Sequence, residues 1–80
     1  MTRDEVLAKV TEVIREVFDD DNIVVTDNTV AADVSGWDSL MHVTFIGTIE
    51  DEFDVRFSMK DVVEIKNVGH MVDLIMEQVN

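Results

Sequence analysis

The sequence predicts an all-α fold, a small four-helix bundle with a long loop between the first and second helices. Three observations support this. The 80-residue chain has no proline, apolar residues recur at three- and four-residue steps in four segments, and residues 19–37 show no sustained period. Three helices are expected to be longer and the third to be short. This length fits one domain over residues 1–80.

The first helix is predicted from about Arg3 to Phe18. Thr2 and Glu5 have the spacing of a capping box at its start. The run from Asp19 to Asn22 is expected to end it, because these side chains compete for the backbone and the like charges repel one another. Its apolar stripe consists of Val6, Leu7, Val10, Val13, Ile14, Val17 and Phe18.

Residues 19–37 are predicted as a loop whose apolar residues anchor it to the helices. These anchors are Ile23, Val25, Val30 and Val34. The segment 23–25 has strand-forming residues, but a lone strand would have no partner. A loop of this length in a small domain often has a functional reason.

The second helix is predicted to begin at Asp38 or Ser39 and to end near Phe53. Asp38 is a suitable N-cap, and Gly36 permits the turn before it. One side of this helix is expected to carry His42, Phe45, Ile46, Ile49 and Phe53. Another is expected to carry Leu40, Val43 or Thr44, and Gly47.

The short third helix is predicted from about Met59 to Ile65, with Ser58 and Asp61 in capping positions. The last helix is expected to start after Asn67 as its N-cap. Its stripe consists of Val68, Met71, Val72, Ile75 and Val79, with Leu74 and Met76 at the margins. The other methionine and valine stripes are expected in the core.

The formal net charge of −12 argues against nucleic-acid binding and against anionic membrane surfaces, and it favours partners with basic patches. The chain has no cysteine, so any thiol chemistry requires an added group. The charged N-terminus lacks the apolar core of a signal peptide, and no apolar run reaches transmembrane length. A cytoplasmic, free-standing monomer is expected.

Ser39 is the residue with the clearest chemical position. It is predicted in the first turn of a helix, directly after a long loop. A helix N-terminus presents free N–H groups and the positive end of the dipole, which stabilise an anion such as a phosphate ester. The spacing alone predicts a modification or anion site there.

The segment Asp38-Ser39-Leu40, followed by Glu50-Asp51-Glu52-Phe53-Asp54 at the end of the same helix, resembles the acyl carrier protein family. The resemblance covers the whole chain in length, helix order and acidic balance. It implies that Ser39 receives 4′-phosphopantetheine from coenzyme A through a phosphopantetheinyl transferase. The arm then holds acyl groups as thioesters, and the chain itself is not an enzyme. In that family Asp38 would help the transferase engage, through its magnesium, and Leu40 would pack near the arm or the partner.

The second helix is the recognition helix that this resemblance implies. Acyl-loading and acyl-processing enzymes with basic docking surfaces are the expected partners. The expected partner-binding residues are Met41, Val43, Thr44, Gly47, Glu50, Asp51, Glu52 and Asp54. A further hypothesis places the acyl chain between the second and third helices, against Ile46, Val62 and Ile65.

The pathway is predicted from departures within the resemblance. Carriers of primary fatty acid synthesis usually have acidic residues where Met41 and Thr44 stand, and Trp37 before Asp38 is more typical of polyketide-type carriers. Phe57-Ser58 also replaces the usual Ile-Pro. A polyketide or specialised pathway is therefore preferred to fatty acid synthesis.

The sequence supports several alternative functions less well. A peptidyl carrier usually has Gly-Gly-x-Ser-Leu at this place, and an acidic interaction module would carry no arm. Ser39 and His42 lie one turn apart, but a Ser–His nucleophile needs an orienting carboxylate and a pocket. The run from Asp19 to Asn22 and the pair Asp27-Asn28 lack the spacing and the glycine of a calcium loop, and His70 has no nearby His or Cys.

Overall fold

The computed structural model describes residues 1–79. Its α-helices are α1 (Arg3–Val17), α2 (Ser39–Phe53), α3 (Met59–Glu64) and α4 (Val68–Val79). No strand occurs within residues 1–79, and the predicted all-α fold with a short third helix is confirmed. Over the same residues, no helix has the length and apolar character needed to span a membrane.

The predicted caps are present at the starts of α1, α3 and α4, as well as at the start of α2. The Thr2 hydroxyl accepts from the backbone N–H of Glu5 at 3.2 Å, and the Glu5 carboxylate accepts from Thr2 N–H at 2.8 Å. Ser58 and Asp61 form the same reciprocal pair at α3. Asn67 Oδ1 accepts a hydrogen bond from the backbone N–H of His70, in the first turn of α4, at 2.8 Å. These local bonds satisfy donors that the helices leave free.

Two helices end one residue earlier than predicted. Phe18 is the C-cap of α1, and Ile65 follows the last residue of α3 in an extended conformation. After α1 the chain turns at Asp19, whose φ of 51° lies in the left-handed region. Both differences lie within the uncertainty that fraying gives any helix end.

The core lies where α1, α2 and α4 meet. It contains the inward stripes predicted for these helices, and Phe45 of α2 is fully buried in it. Burial of such side chains stabilises the bundle by roughly 1.5–3 kcal/mol each. The buried cluster consists of Val6, Val10, Val13, Ile14, Phe45, Ile46, Ile49, Phe53, Val55, Val68, Met71, Val72 and Ile75.

The predicted loop packs on the bundle through its apolar anchors. Val34 is buried, and Ile23 and Val25 are partly buried against the core. A 3-10 helix, Ala31–Asp33, interrupts the loop and was not predicted. It is held by Asp33, whose carboxylate accepts from Val30 N–H at 3.0 Å.

The loop is also fixed to the rest of the bundle by polar contacts. The carbonyl of buried Thr29 accepts from the N–H of Val68, the first residue of α4, at 2.9 Å. The Arg3 guanidinium lies 3.2 Å from the carboxylates of both Asp27 and Asp73. These contacts join α1, the loop and α4, and so position the segment that leads into α2.

Three large apolar side chains of α3 and the loop lie outside the predicted stripes and are exposed. Met59 and Val63 of α3 are 83% and 77% exposed, and Val24 in the loop is 78% exposed. The α3 helix has six residues, none of them fully buried, and Val62 is partly buried against the core.

Candidate functional site

The site begins at the N-terminus of α2. Asp38 is the N-cap, and its Oδ1 accepts from the N–H of Met41 at 2.8 Å. Gly36, with φ of 89°, turns the chain immediately before it. Ser39 is the first residue of α2 and is exposed. The backbone N–H groups of Ser39 and Leu40 lie at the N-terminus of this 15-residue helix, which is the positive end of the helix dipole.

A cleft opens beside Ser39, between the start of α2 and α3. Its volume is about 550 Å³. Ser39 and Asp38 belong to its lining, so a group attached to that hydroxyl would stand at the cleft. The other lining residues are mostly apolar and comprise Ala31, Trp37, His42, Val43, Val62, Val63 and Ile65.

Three residues, Ile46, Val62 and Ile65, are predicted from the sequence to contact an acyl chain between the second and third helices. Val62 and Ile65 line the cleft, as expected. Ile46 does not, because it faces the core and is 5% exposed. The sequence places Ile46 on the inward stripe of α2, but periodicity does not tell which inward residues meet α3 and which meet α1 or α4.

His42 is held by two hydrogen bonds at the wall of the cleft. Trp37 Nε1–H donates to His42 Nδ1 at 3.0 Å, so Nδ1 carries no proton. The proton of the neutral ring is therefore assigned to Nε2, which lies 3.4 Å from the carbonyl oxygen of Val62. Because both nitrogens are engaged in this way, His42 is not placed as a base for Ser39.

Trp37 is fixed by aromatic neighbours as well. Its ring stacks on Phe18 with centroids 5.3 Å apart and meets Phe45 edge-on at 5.1 Å. The His42 ring also stacks on it at 6.0 Å. Such pairs contribute about 0.5–1.5 kcal/mol each beyond burial. The residue before Asp38 is thus a rigid support for the start of α2.

Apolar side chains surround the cleft on the outer surface. On α2, Leu40 is 76% exposed and Val43 is 65% exposed. On α3, Met59 and Val63 are exposed at an i, i+4 spacing that puts them on one face. Large apolar side chains are thus exposed on two neighbouring helices. The sequence predicted the outward apolar residues of α2 but not those of α3.

The other residues predicted to bind partners have different degrees of exposure. Thr44 is exposed, whereas Met41 and Gly47 are only half-exposed. The Thr44 hydroxyl lies 3.4 Å from the carbonyl oxygen of Leu40, within its own helix. The outward face of α2 is therefore present, with Leu40 and Val43 as its most prominent apolar members.

The acidic residues at the end of α2 fall into two groups. Glu50 Oε2 accepts from Phe57 N–H at 2.9 Å, and Glu52 lies 3.0 Å from the Lys9 ammonium group. That contact raises the pKa of Lys9 through its hydrogen bond and its charge attraction. Asp51 and Asp54 are exposed, and Asp54 is the left-handed C-cap with φ of 54°. Asp51 thus offers an exposed carboxylate without a salt bridge within residues 1–79.

Histidine and acidic groups elsewhere do not assemble into a metal centre in the part of the chain that the structure describes. His70 is half-buried in the first turn of α4, where its N–H donates to Asn67. The acidic residues 19–21 are exposed at the end of α1.

Comparison with known proteins identifies the chain. A family model described as a phosphopantetheine attachment site matches residues 8–75. The chain belongs to the acyl carrier protein family. A curated acyl carrier protein from Petrotoga mobilis is 34% identical over 80 residues, covering 100% of this chain and 94% of the relative. One from Cyanidium caldarium is 32% identical over 81 residues, covering 100% and 93%.

A solved structure supports the same assignment. The solution structure of holo acyl carrier protein from Geobacter metallireducens is 38% identical and superposes with a TM-score of 0.87, over 92% of this chain and 85% of that one. This chain is therefore a non-catalytic carrier, and its prosthetic group is 4′-phosphopantetheine. It interacts in general with a phosphopantetheinyl transferase and with biosynthetic enzymes.

Proposed function

We propose that Ser39 is the attachment point of the prosthetic group, and that residues 1–80 form one carrier domain that moves acyl groups between enzymes. The observation that carries this proposal is the exposed Ser39 hydroxyl at the first residue of α2, next to the N-cap Asp38. When bound, 4′-phosphopantetheine supplies a terminal thiol that holds acyl groups as thioesters. The chain has no cysteine of its own to do this.

The surroundings of Ser39 fit a phosphate ester. The N–H groups of Ser39 and Leu40 and the helix dipole favour an anion at this position. Asp38 does not compete for them, because its carboxylate is bonded to the N–H of Met41. The exposed carboxylate edge of Asp38 is also available to the magnesium of an approaching transferase. These features give Asp38 two roles, as a cap for α2 and as a contact for the loading enzyme.

The cleft beside Ser39 serves as shelter for acyl cargo in this proposal. Val43, Val62 and Ile65 give it apolar walls, and its volume of about 550 Å³ is that of a small-ligand site. Burying apolar tail there contributes about 0.8 kcal/mol per CH₂ group. Shelter of this kind keeps the cargo out of water between two enzymes.

Partner enzymes dock on the apolar surface of α2 and α3, with Asp51 as a steering charge. Leu40 and Val43 stand one turn apart beside Ser39, so contacts to them fix the docking register close to the attachment point. The net charge of −12 draws basic surfaces in at long range. Complexes of this type exchange fast and weaken with salt, which suits a carrier that must leave each enzyme.

A polyketide or other specialised pathway is the preferred setting, in place of primary fatty acid synthesis. Met41 and Thr44 make the start of α2 less acidic than in housekeeping fatty acid carriers, and Trp37 packs before Asp38 as a polyketide-type feature. The proposal includes a cytoplasmic location and a monomeric carrier. Comparing extension of the loaded protein by a polyketide ketosynthase and by a fatty acid ketosynthase tests the pathway. A higher kcat/KM with the fatty acid enzyme would refute the preference.

The attachment is tested by incubating the purified protein with coenzyme A, Mg²⁺ and a broad-specificity phosphopantetheinyl transferase. Intact mass is expected to rise by one phosphopantetheinyl group. Ser39→Ala should not gain mass. Ser35→Ala, which removes an exposed serine outside α2, should load like the parent protein. Loading of Ser39→Ala would overturn the assignment.

A further inference from the structure

A second, smaller cavity of about 50 Å³ adjoins the cleft. It borders the core, because Val68 and Met71 line it and each is 1% exposed. Four residues line both cavities and therefore separate them: Ala31, Trp37, His42 and Ile65. Behind this wall the smaller cavity is completed by Thr29, Val30, Lys66, Asn67, Val68 and Met71.

The wall is closed by the Trp37–His42 hydrogen bond. The donor Nε1–H and the acceptor Nδ1 are 3.0 Å apart, and His42 is tied to α3 through the carbonyl of Val62. Breaking a hydrogen bond in apolar surroundings is destabilising when the donor and the acceptor find no replacement partner. Trp37 is also held by Phe18 and Phe45. The two side chains therefore resist being pushed aside by an apolar tail, which offers neither a donor nor an acceptor.

We propose that Trp37 and His42 determine how long an acyl chain the carrier can shelter. The inference rests on the proposed function, because the tail must enter the cleft from Ser39. Short acyl groups end against the wall and leave its hydrogen bond intact. Longer ones reach the second cavity only by breaking it, so each methylene group beyond the wall adds less stability than those before it. The cargo that fits best is therefore an acyl chain that ends at this wall.

The first test uses the indole N–H of Trp37, which is the single tryptophan of the chain and gives one signal in a ¹H–¹⁵N spectrum. The protein is loaded on Ser39 with saturated acyl groups of two to about twelve carbons. The indole signal should match that of the protein with the unacylated arm for the short groups. It should move upfield once the chain is long enough to break the bond. A signal that moves with the two-carbon group, or with none of the series, would overturn the inference.

The second test measures thermal stability in the same series. His42→Ala removes the acceptor and the ring, and so joins the two cavities. In the parent protein the gain in Tm with chain length should level off, and in His42→Ala it should continue through at least about two further carbons. Val24→Ala is the control, because Val24 is an exposed valine that lines neither cavity. It should level off at the parent length. If the gain in Tm levels off at the same acyl chain length in the parent and in His42→Ala, the proposed role of Trp37 and His42 is refuted.

The two proposals fail in different ways. If the mass of the protein does not change with the transferase, Ser39 is not the attachment point and both proposals fall. Ser39 could instead be loaded while the indole signal moves with the two-carbon group or with none, and the parent and His42→Ala level off at the same chain length. In that case only the proposed role of Trp37 and His42 is refuted. If His42→Ala does not fold, the indole signal of the parent protein still decides.

Discussion

The backbone N–H of Gly69 donates to the carbonyl oxygen of Asp27 at 2.9 Å, so the long loop lies directly on the first turn of α4. A Cβ atom at Gly69 would stand 2.8 Å from that oxygen and 3.1 Å from Asp27 Cβ. The close approach involves backbone that cannot move without also losing the hydrogen bond. Glycine is required here because the backbone of Asp27 leaves no room for a side chain. Its conformational freedom is not needed, since Gly69 lies in the α4 helix.

Gly69→Ala is therefore expected to destabilise the protein, by roughly 1–3 kcal/mol, as overpacking of a tight contact does. The measurement is the free energy of unfolding from urea denaturation. The loop should also loosen, which would appear as faster amide exchange at Gly69 and Val68.

Gly47→Ala is the matched control for that substitution. Gly47 lies inside α2, and a Cβ there would meet nothing within 4 Å. The same change should stabilise the protein by about 0.5–1 kcal/mol, because alanine favours the helix. If both variants shift stability in the same direction, the contact between Gly69 and Asp27 is not the cause.

The helix starts could be predicted from sequence because their causes are local. Thr2 and Glu5, or Ser58 and Asp61, are three residues apart and form their bonds whatever the rest of the chain does. Asp38 as the cap before Ser39 belongs to the same class. The position of the candidate attachment residue in the fold was therefore predictable.

The parts that were missed depend on contacts between distant segments. Gly69 meets a carbonyl 42 residues earlier, and His42 lies 3.4 Å from a carbonyl 20 residues later. Periodicity reports which face is apolar, but not which neighbour it meets. For that reason Ile46 was assigned to the cleft although it packs in the core, and the exposure of Met59 was not foreseen.

Asp38 allows its structural and functional roles to be separated. Asparagine caps a helix as well as aspartate does, whereas alanine costs about 1 kcal/mol. Asp38→Asn should therefore keep the parent stability, and Asp38→Ala should lose about that amount. Because both variants lack the carboxylate proposed to meet the magnesium of the transferase, kcat/KM for loading should fall by about tenfold or more in each.

The readouts are urea denaturation and the initial rate of mass gain at fixed coenzyme A. If Asp38→Asn is loaded with the same kcat/KM as the parent, Asp38 caps α2 but does not contact the magnesium of the transferase. A large loss of stability in Asp38→Asn would instead show that its charge, and not its hydrogen bond to Met41, holds the start of α2.

Asp51 and Glu52 are neighbours with different surroundings, and this predicts different effects on docking. Asp51 is exposed, whereas Glu52 is paired with Lys9 at 3.0 Å. Asp51→Lys should slow association with a basic partner by roughly three- to tenfold at low salt, with stability little changed. Glu52→Lys places a like charge beside Lys9 and should lower the free energy of unfolding as well.

Association rates with the transferase at several ionic strengths provide the measurement for these charge reversals. The difference between the parent and Asp51→Lys should shrink as salt rises, because screening weakens attraction between exposed charges. A difference that does not depend on salt would rule out a steering role for Asp51.

The capping box of α1 makes stability depend on pH in a defined window. Hydrogen bonds from the Thr2 backbone N–H and hydroxyl hold the pKa of Glu5 below its ordinary value of 4.5. A carboxylate with a lowered folded pKa stabilises the fold above its unfolded pKa, and this contribution is lost as the pH falls through the folded pKa. The parent should therefore be more stable than Glu5→Gln at about pH 7, and the difference should decrease as the pH falls from 4.5 through the lower folded pKa of Glu5. Urea denaturation at a series of pH values from about 7 downward measures this, with Glu16→Gln as a control that removes a charge from the same helix outside the box. A parent advantage that persists in acid would mean that the carboxylate charge is not its source.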